Sequence, residues 1–199
     1  MASMTEKEKM LSQRLYNAND ERDLAGDRDR ARELCYDFNM LRPAAYEAQR
    51  AIMQELLGKT SGEFIIVAPF YCDYGFNIEI GENFFCNHNT VILDCAPVRI
   101  GNNVMLGPNC CINAVGHPID VERRNQGLEF AYPVTIGDNV WLGAGVQVLP
   151  GVTIGNNVVI GAGSVVARDI PDNVVAVGSP CRVMRAITSA DREKCWDRT

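Results

Sequence analysis

Two hydrophobic rhythms divide the chain. From Thr5 to about Leu57 the apolar positions recur at three- and four-residue spacing, as in Ala31, Leu34, Cys35 and Phe38, then Ala48, Ile52 and Leu56. That spacing lays the apolar side chains along one face of an α-helix. Breaks near Asn17 to Asp20, at Gly26 and at Arg42-Pro43 divide the segment, and Pro43 suits the opening of a third helix because a first-turn residue needs no N–H partner. Residues 1–57 therefore read as a helical N-terminal cap over something else rather than as a domain of their own.

Beyond Gly58 the period becomes six. Ile80, Cys86 and Ile92 lie six apart, as do Ile100, Leu106 and Ile112, and from Ile136 the step runs through Leu142, Val148, Ile154 and Ile160 to Val166. Seven of these positions are followed directly by glycine, at 81, 101, 107, 137, 143, 155 and 161. Four residues after the apolar position stands a small or moderately sized one, as at Phe84, Thr90, Val104, Cys110, Val140, Val146, Val152, Val158 and Ser164. A period of six is neither the helical period of about 3.6 nor an alternating strand with hairpin turns every eight to twelve residues or so. It fits a hexapeptide repeat in which each unit supplies a short strand and a turn, with Gly, Asn and Asp at the turn because they tolerate positive φ. Three units close a triangular coil, and coils stack as parallel strands ~4.8 Å apart. The expected fold is mainly β: a parallel β-helix over 58–185, with the first and fifth positions of each unit pointing inward and a C-terminal tail over 186–199.

Between Asn113 and Pro133 the step lapses and the composition turns polar, which predicts an excursion loop over 113–133. Regular coils are rigid scaffold, so an insertion is where variable chemistry belongs. The loop carries His117, one of only two histidines, followed by Pro118, which restricts the backbone before it. His88 sits inside a regular unit between Asn87 and Asn89 and is not the expected base.

Composition narrows the classes. At 199 residues, 47% apolar and 22% charged, the chain can bury a real core. With 19 Lys+Arg against 25 Asp+Glu and no basic run, it lacks the electrostatic footprint of a nucleic-acid binder. The start alternates Glu and Lys, and no stretch approaches the ~20 apolar residues that span a bilayer, so a cytoplasmic protein without a membrane partner is expected. Eight cysteines, with Cys110 beside Cys111 and no C-x-x-C pair, read as free thiols. Two histidines cannot supply the three ligands of a β-helical zinc hydrolyase, and no metal is expected.

The hexapeptide array joins more specific pieces: Thr5-Glu-Lys-Glu-Lys-Met10, Leu15-Tyr16, Cys72-Asp-Tyr-Gly-Phe-Asn77, Asn83-Phe-Phe-Cys-Asn87, His117-Pro-Ile-Asp120, Pro133-Val-Thr-Ile-Gly137, Asn139-Val-Trp-Leu-Gly143 and Asp169-Ile-Pro-Asp-Asn-Val174. With the terminal Val177-Gly-Ser-Pro-Cys-Arg182, these make the chain closely resemble the maltose/galactoside O-acetyltransferase family of hexapeptide-repeat acetyltransferases, nearly end to end. The resemblance implies a left-handed coil, against the usual right-handed crossover. It also implies a homotrimer with sites between neighbouring subunits, and acetyl-CoA as the co-substrate that donates to a hydroxyl of a small sugar of maltose/glucose or galactoside type. His117 matches the general base; a sugar hydroxyl is a poor nucleophile until its proton is being removed, and imidazole titrates near working pH. Asn87 matches the side chain that stabilises the developing oxyanion or orients the acceptor.

By the same resemblance the acceptor pocket is lined by Asp20, Asp73, Asn87 and Asp94, groups that can each take two or more hydrogen bonds from sugar hydroxyls. Trp141 would lie along the pantetheine arm, Ala144 and Ala162 would offer backbone groups between coils, and Ala167, Arg168, Arg182 and Arg185 would meet the nucleotide and its phosphates. Asp73 stands where the galactoside pattern has serine, and Asn17-Ala-Asn-Asp20 is closer to the maltose type. A non-sugar acceptor and a non-catalytic β-helical scaffold are the alternative readings.

Overall fold

The computed structural model describes residues 4–20 and 24–193. Helix α1 (Glu6–Leu11) begins at a capping box: Thr5 Oγ1 accepts from the Glu8 N–H at 3.1 Å, and the Glu8 carboxylate accepts from the Thr5 N–H at 2.8 Å. A short strand, Tyr16–Asn17, precedes helices α2 (Ala25–Met40) and α3 (Tyr46–Leu56). The break expected near Gly26 falls at the start of α2, with Gly26 in its first turn, whereas α3 opens at Tyr46, beyond Pro43. A glycine costs little so close to a helix end, where the first backbone donors have no intrahelical partner anyway. α2 buries Ala31, Cys35 and Phe38, and α3 buries Met53 and Leu56, while Ala48 stays exposed.

The remainder coils as a parallel β-helix of five full turns and the start of a sixth. Face I stacks Lys59–Thr60, Ile78–Ile80, Val98–Ile100, Val134–Ile136 and Thr153–Ile154. Face II stacks Phe64–Ile66, Phe84–Cys86, Met105–Leu106, Val140–Leu142, Val158–Ile160 and Val174–Val177, and face III stacks Phe70–Cys72, Thr90–Leu93, Cys111–Asn113, Gln147–Val148 and Val165–Val166. The register sets like upon like: Ile80, Ile100, Ile136 and Ile154 stand in one column, and Cys86, Leu106, Leu142 and Ile160 in another. All nine fifth-position residues from Phe84 to Ser164 are buried, as the six-residue step requires.

At the corner from face I to face II, Asn83, Asn103, Asn139, Asn157 and Asn173 adopt φ between 53° and 59°. Their amides hydrogen-bond from coil to coil, at 3.0 Å for Asn83–Asn103 and 2.9 Å for Asn157–Asn173. The glycines before this turn are set by stacking distance: a Cβ on Gly137 would sit 2.9 Å from the Gly155 carbonyl carbon of the next coil.

The three outer faces differ in chemistry. Face I presents Lys59, Glu79, Arg99, Thr135 and Thr153, whereas face II presents Ile65, Phe85, Met105, Trp141 and Val159 in one column. Face III presents Tyr71, Val91, Cys111, Gln147 and Val165. The last coil turns back on itself: Arg182–Ala186 pairs antiparallel with Val174–Val177 and leads to a short helix, Ala190–Glu193. The tail expected over 186–199 lies outside the described residues from 194 onward. The seven described cysteines are free thiols, and Cys195 lies outside the described residues. No helix among the described residues is long and apolar enough to cross a membrane.

Candidate active site

The site grows from the third corner, where face III returns to face I. The six-residue step is kept at the two other corners, but here it stretches to eight from Cys72 to Ile80 and from Ile92 to Ile100, and to twenty-four from Ile112 to Ile136. These three insertions stack on one another and carry Asp73, Asp94 with Cys95, and His117.

The excursion is structured. Val115–Gly116 pairs antiparallel with Leu128–Ala131, which pairs in turn with Tyr16–Asn17 of the cap, so that a three-stranded ribbon clamps the loop beneath the N-terminal segment. Between its strands lies helix α4 (Val121–Asn125), capped by the Asp120 carboxylate, which accepts from the Arg123 N–H at 3.0 Å. Arg124 Nη1 donates to the carbonyls of Pro118 and Ile119 at 3.2 and 2.7 Å and fixes the turn beside His117. Gly127 starts the return strand at φ +73°, and a Cβ there would sit 2.1 Å from the Asn19 amide nitrogen of the cap.

His117 Nδ1 lies 3.1 Å from the Leu128 carbonyl oxygen. A carbonyl only accepts, so this contact places the proton on Nδ1 and leaves Nε2 as the proton-accepting nitrogen. Nε2 in turn lies 3.7 Å from Glu129 Oε1. The other Glu129 oxygen accepts from the buried Tyr16 hydroxyl at 2.5 Å. Burial pushes the Glu129 carboxyl above the usual carboxylate range, while the Tyr16 hydrogen bond, the Arg28 charge and His117 whenever it is protonated act the other way. The Asp73 carboxyl is also raised by burial, opposed by the Cys95 thiol that donates to its Oδ2 at 3.3 Å and by Arg28 and Arg32. Arg28 Nη1, from α2, donates to the Tyr74 hydroxyl at 3.1 Å and to the Ala18 carbonyl at 2.8 Å. An imidazole, two carboxylates, a thiol and a guanidinium thus share one corner.

Asp94 plays a different part there. Its side chain is wholly buried, with Oδ1 accepting from the N–H groups of Asp73 and Tyr74 at 3.1 and 2.9 Å and Oδ2 from that of Asn77 at 3.2 Å. Burial pushes its carboxyl up to about 6 in spite of those bonds. In this structure it builds the turn that carries Asp73 and is closed to an acceptor. Asp94→Ala would leave three backbone donors buried without partners, at about 1–3 kcal/mol each. A fall in melting temperature on the order of 10 °C is expected, measurable by thermal denaturation; an unchanged melting temperature would restore a purely acceptor-binding role.

The other sequence-predicted residues divide by position. Asn87 stands at the corner from face II to face III, its Oδ1 accepting from the His88 N–H at 2.8 Å, while the His88 ring meets the Ala68 carbonyl at 2.6 Å. Ala144 and Ala162 occupy the same corner in later coils, and Trp141 is half exposed on face II. Ala167 and Arg168 sit exposed on the His117 corner, in the fifth coil. Arg182 and Arg185 lie on the final strand, where Arg185 forks onto the Asp191 carboxylate at 2.7 and 2.6 Å. Asp20, in the cap, donates its N–H to the Asn17 carbonyl at 3.2 Å. Asn87 and His117 are therefore not brought together within one chain: the strand Thr90–Leu93 separates their corners, roughly 13 Å at ~3.3 Å per residue.

The sequence pattern assigns no site role to Glu129, Tyr16, Cys95 or Arg28. The signal for Cys95 was present in the eight-residue steps, because both extra pairs fall at one corner. Nothing local in the sequence ties Tyr16 to Glu129, which lie 113 positions apart.

Comparison with known proteins gives the family and the fold. Residues 9–62 match the maltose acetyltransferase hexapeptide capping motif, residues 133–168 the bacterial transferase hexapeptide of six repeats, and residues 97–124 the hexapeptide repeat of succinyl-transferase. A Saccharomyces cerevisiae protein to which acetyltransferase activity is attributed is 56% identical over 92% of this chain and 94% of its own. The crystal structure of a maltose O-acetyltransferase from Clostridium difficile 630 is 49% identical with a TM-score of 0.92, covering 94% of this chain and 100% of that one. A galactoside acetyltransferase in complex with coenzyme A is 40% identical with a TM-score of 0.93, covering 98% and 97%.

Proposed function

Because the chain belongs to the maltose/galactoside O-acetyltransferase family of hexapeptide-repeat proteins, we propose that this acetyltransferase moves the acetyl group of acetyl-CoA to a hydroxyl of a small sugar, with His117 as general base. The observation that carries the reading is the His117 contact with the Leu128 carbonyl, which leaves Nε2 free to accept a proton beside a cluster of hydrogen-bonding groups. Nε2 takes the hydroxyl proton as the sugar oxygen attacks the thioester carbonyl. The carbonyl oxygen gains charge, which the Asn87 amide is suited to meet. Collapse of the tetrahedral intermediate breaks the C–S bond, and the departing thiolate takes the proton back from the imidazolium. The acceptor would rest against Asp73 and the cap around Asp20. The donor would run past Trp141, Ala144 and Ala162, with Ala167, Arg168, Arg182 and Arg185 toward the nucleotide.

Asn87 and His117 act on one carbonyl only if the Asn87 corner of one subunit meets the His117 corner of the next. The apolar columns on faces II and III, beside the charged face I, support a homotrimer in which the two less polar faces are covered. Light scattering should return three times the 22.0 kDa chain mass; a monomer mass across micromolar concentrations would remove the shared site.

An acetyl-CoA consumption assay across glucose, maltose, galactosides and small amines tests the whole reading. Turnover with sugars is expected. Turnover with amines alone would transfer the activity to a non-sugar acceptor, and coenzyme A binding without turnover on any of them would favour a scaffold.

A further inference from the structure

We propose that Glu129 is a positioning residue for the base: its carboxylate, clamped by the Tyr16 hydroxyl, forms an ion pair with His117 once the imidazole has taken the acceptor's proton. The inference rests on the acetyl-transfer reading above and adds a residue to it.

In the resting protein Nδ1–H of His117 meets the Leu128 carbonyl at 3.1 Å, so Nε2 presents a lone pair. Glu129 Oε1 faces that nitrogen at 3.7 Å and presents lone pairs as well. No hydrogen bond joins the two, and neither nitrogen nor oxygen gains by closing the gap. When Nε2 takes a proton, the same geometry becomes a cation opposite a carboxylate. That attraction stabilises the imidazolium while substrate is bound and its N–H points at the reacting atoms, and it can close to a charge-assisted hydrogen bond when the site is empty. An interaction that exists only after proton transfer raises kcat without tightening substrate binding.

The carboxylate is held for this role from the opposite side. Its Oε2 accepts from Tyr16, whose side chain is fully buried on the cap strand directly across from Glu129 in the ladder. The Glu129 side chain is 18% exposed against 52% for His117, so its charge is only partly screened by water. Arg28 from α2 and Asp73 and Cys95 from the neighbouring insertions are the other charged or titratable groups around the pair, and Arg124 of α4 is engaged with the Pro118 and Ile119 carbonyls. Among these, only Glu129 is placed against Nε2. The cap thereby reaches the base through two links, Tyr16 to Glu129 and Glu129 to His117.

The test compares steady-state kinetics of the full-length wild type, Glu129→Gln, Tyr16→Phe and the double variant, with melting temperature and coenzyme A affinity as folding controls. Glu129→Gln keeps the shape and the hydrogen bond to Tyr16 but removes the charge. It should lower kcat by about ten- to a hundredfold with both KM values within about twofold. Tyr16→Phe should cost about three- to tenfold, and the double variant should be no slower than Glu129→Gln alone, because Tyr16 acts through Glu129. An unchanged kcat in Glu129→Gln, or a raised acceptor KM at unchanged kcat, would overturn the pair and make Glu129 an acceptor ligand or a bystander. Loss of activity in His117→Ala separates these outcomes from failure of the acetyl-transfer reading itself. A second readout needs no turnover. In nitrogen NMR at a pH low enough to protonate both histidines, the His117 Nε2–H should be protected from exchange in wild type and exposed in Glu129→Gln, with His88→Gln assigning the signal. Equal exchange in the two proteins would end the proposal whatever the chain acetylates.

Discussion

His117→Ala is expected to lower acetyl transfer by about 10²- to 10⁴-fold while leaving the fold and the affinity for coenzyme A nearly intact. The imidazole is half exposed and its one hydrogen bond is to the Leu128 carbonyl, so its removal opens no cavity and strands no buried donor. The groups proposed for the donor lie on face II, at the Asn87 corner, on the final strand and in the fifth coil. Proton acceptance is realised in the transition state, so substrate binding should change little. His88→Ala is the control, since that ring ties one coil to the Ala68 carbonyl of the coil before it and should cost stability more than rate. Turnover and coenzyme A binding, measured for the three proteins with a single acceptor, decide the assignment. A dead His88→Ala beside a normal His117→Ala would transfer the base to His88.

Ile154→Asp should prevent the chain from folding to a soluble state. Ile154 is completely buried, in register with Ile136 below and bridged to Ile170 above. An unpaired carboxylate in that column costs several kcal/mol, which is comparable with the whole stability margin of an ordinary domain, about 5–15 kcal/mol. The coil is too narrow for the side chain to turn outward without breaking the ladder to both neighbouring coils. Ile154→Val, which keeps the shape apart from one methyl group, should cost only about 1 kcal/mol and serves as the comparison. Soluble yield and thermal melting measure both variants. A soluble Asp variant with the wild-type melting temperature would mean that residue 154 does not face the interior.

The periodic part of the protein was legible because it is written locally. Each hexapeptide carries its own inward residue and its own turn residue, and stacking only repeats the choice, so Ile136, Leu142 and Val148 could be placed in the core and Asn139 at a turn without knowing what lay above or below. His117 could be singled out for a related reason, as one of two histidines in the chain, inside the longest break in the six-residue step. Helix limits were less legible: the pattern opened the third helix at Pro43 and placed Ala48 on its apolar face, while the structure opens α3 at Tyr46 and turns Met53 inward instead. Helix ends depend on what each end packs against, which the period does not record.

By itself the sequence determined the coil, its core columns and the excursion that carries His117, since these follow from side-chain size and backbone conformation at fixed spacing. Tertiary structure alone decided the rest of the site. It gathered three separate insertions on one corner and closed Asp94 into the turn beneath Asp73. It laid the cap strand across the excursion so that Tyr16 grips Glu129 beside His117. It also left Asn87 on the far edge of face III, a strand's length from His117 of the same chain. Those contacts join residues from 12 to 113 positions apart, whose pairings have no common period and exist only once the coils have stacked.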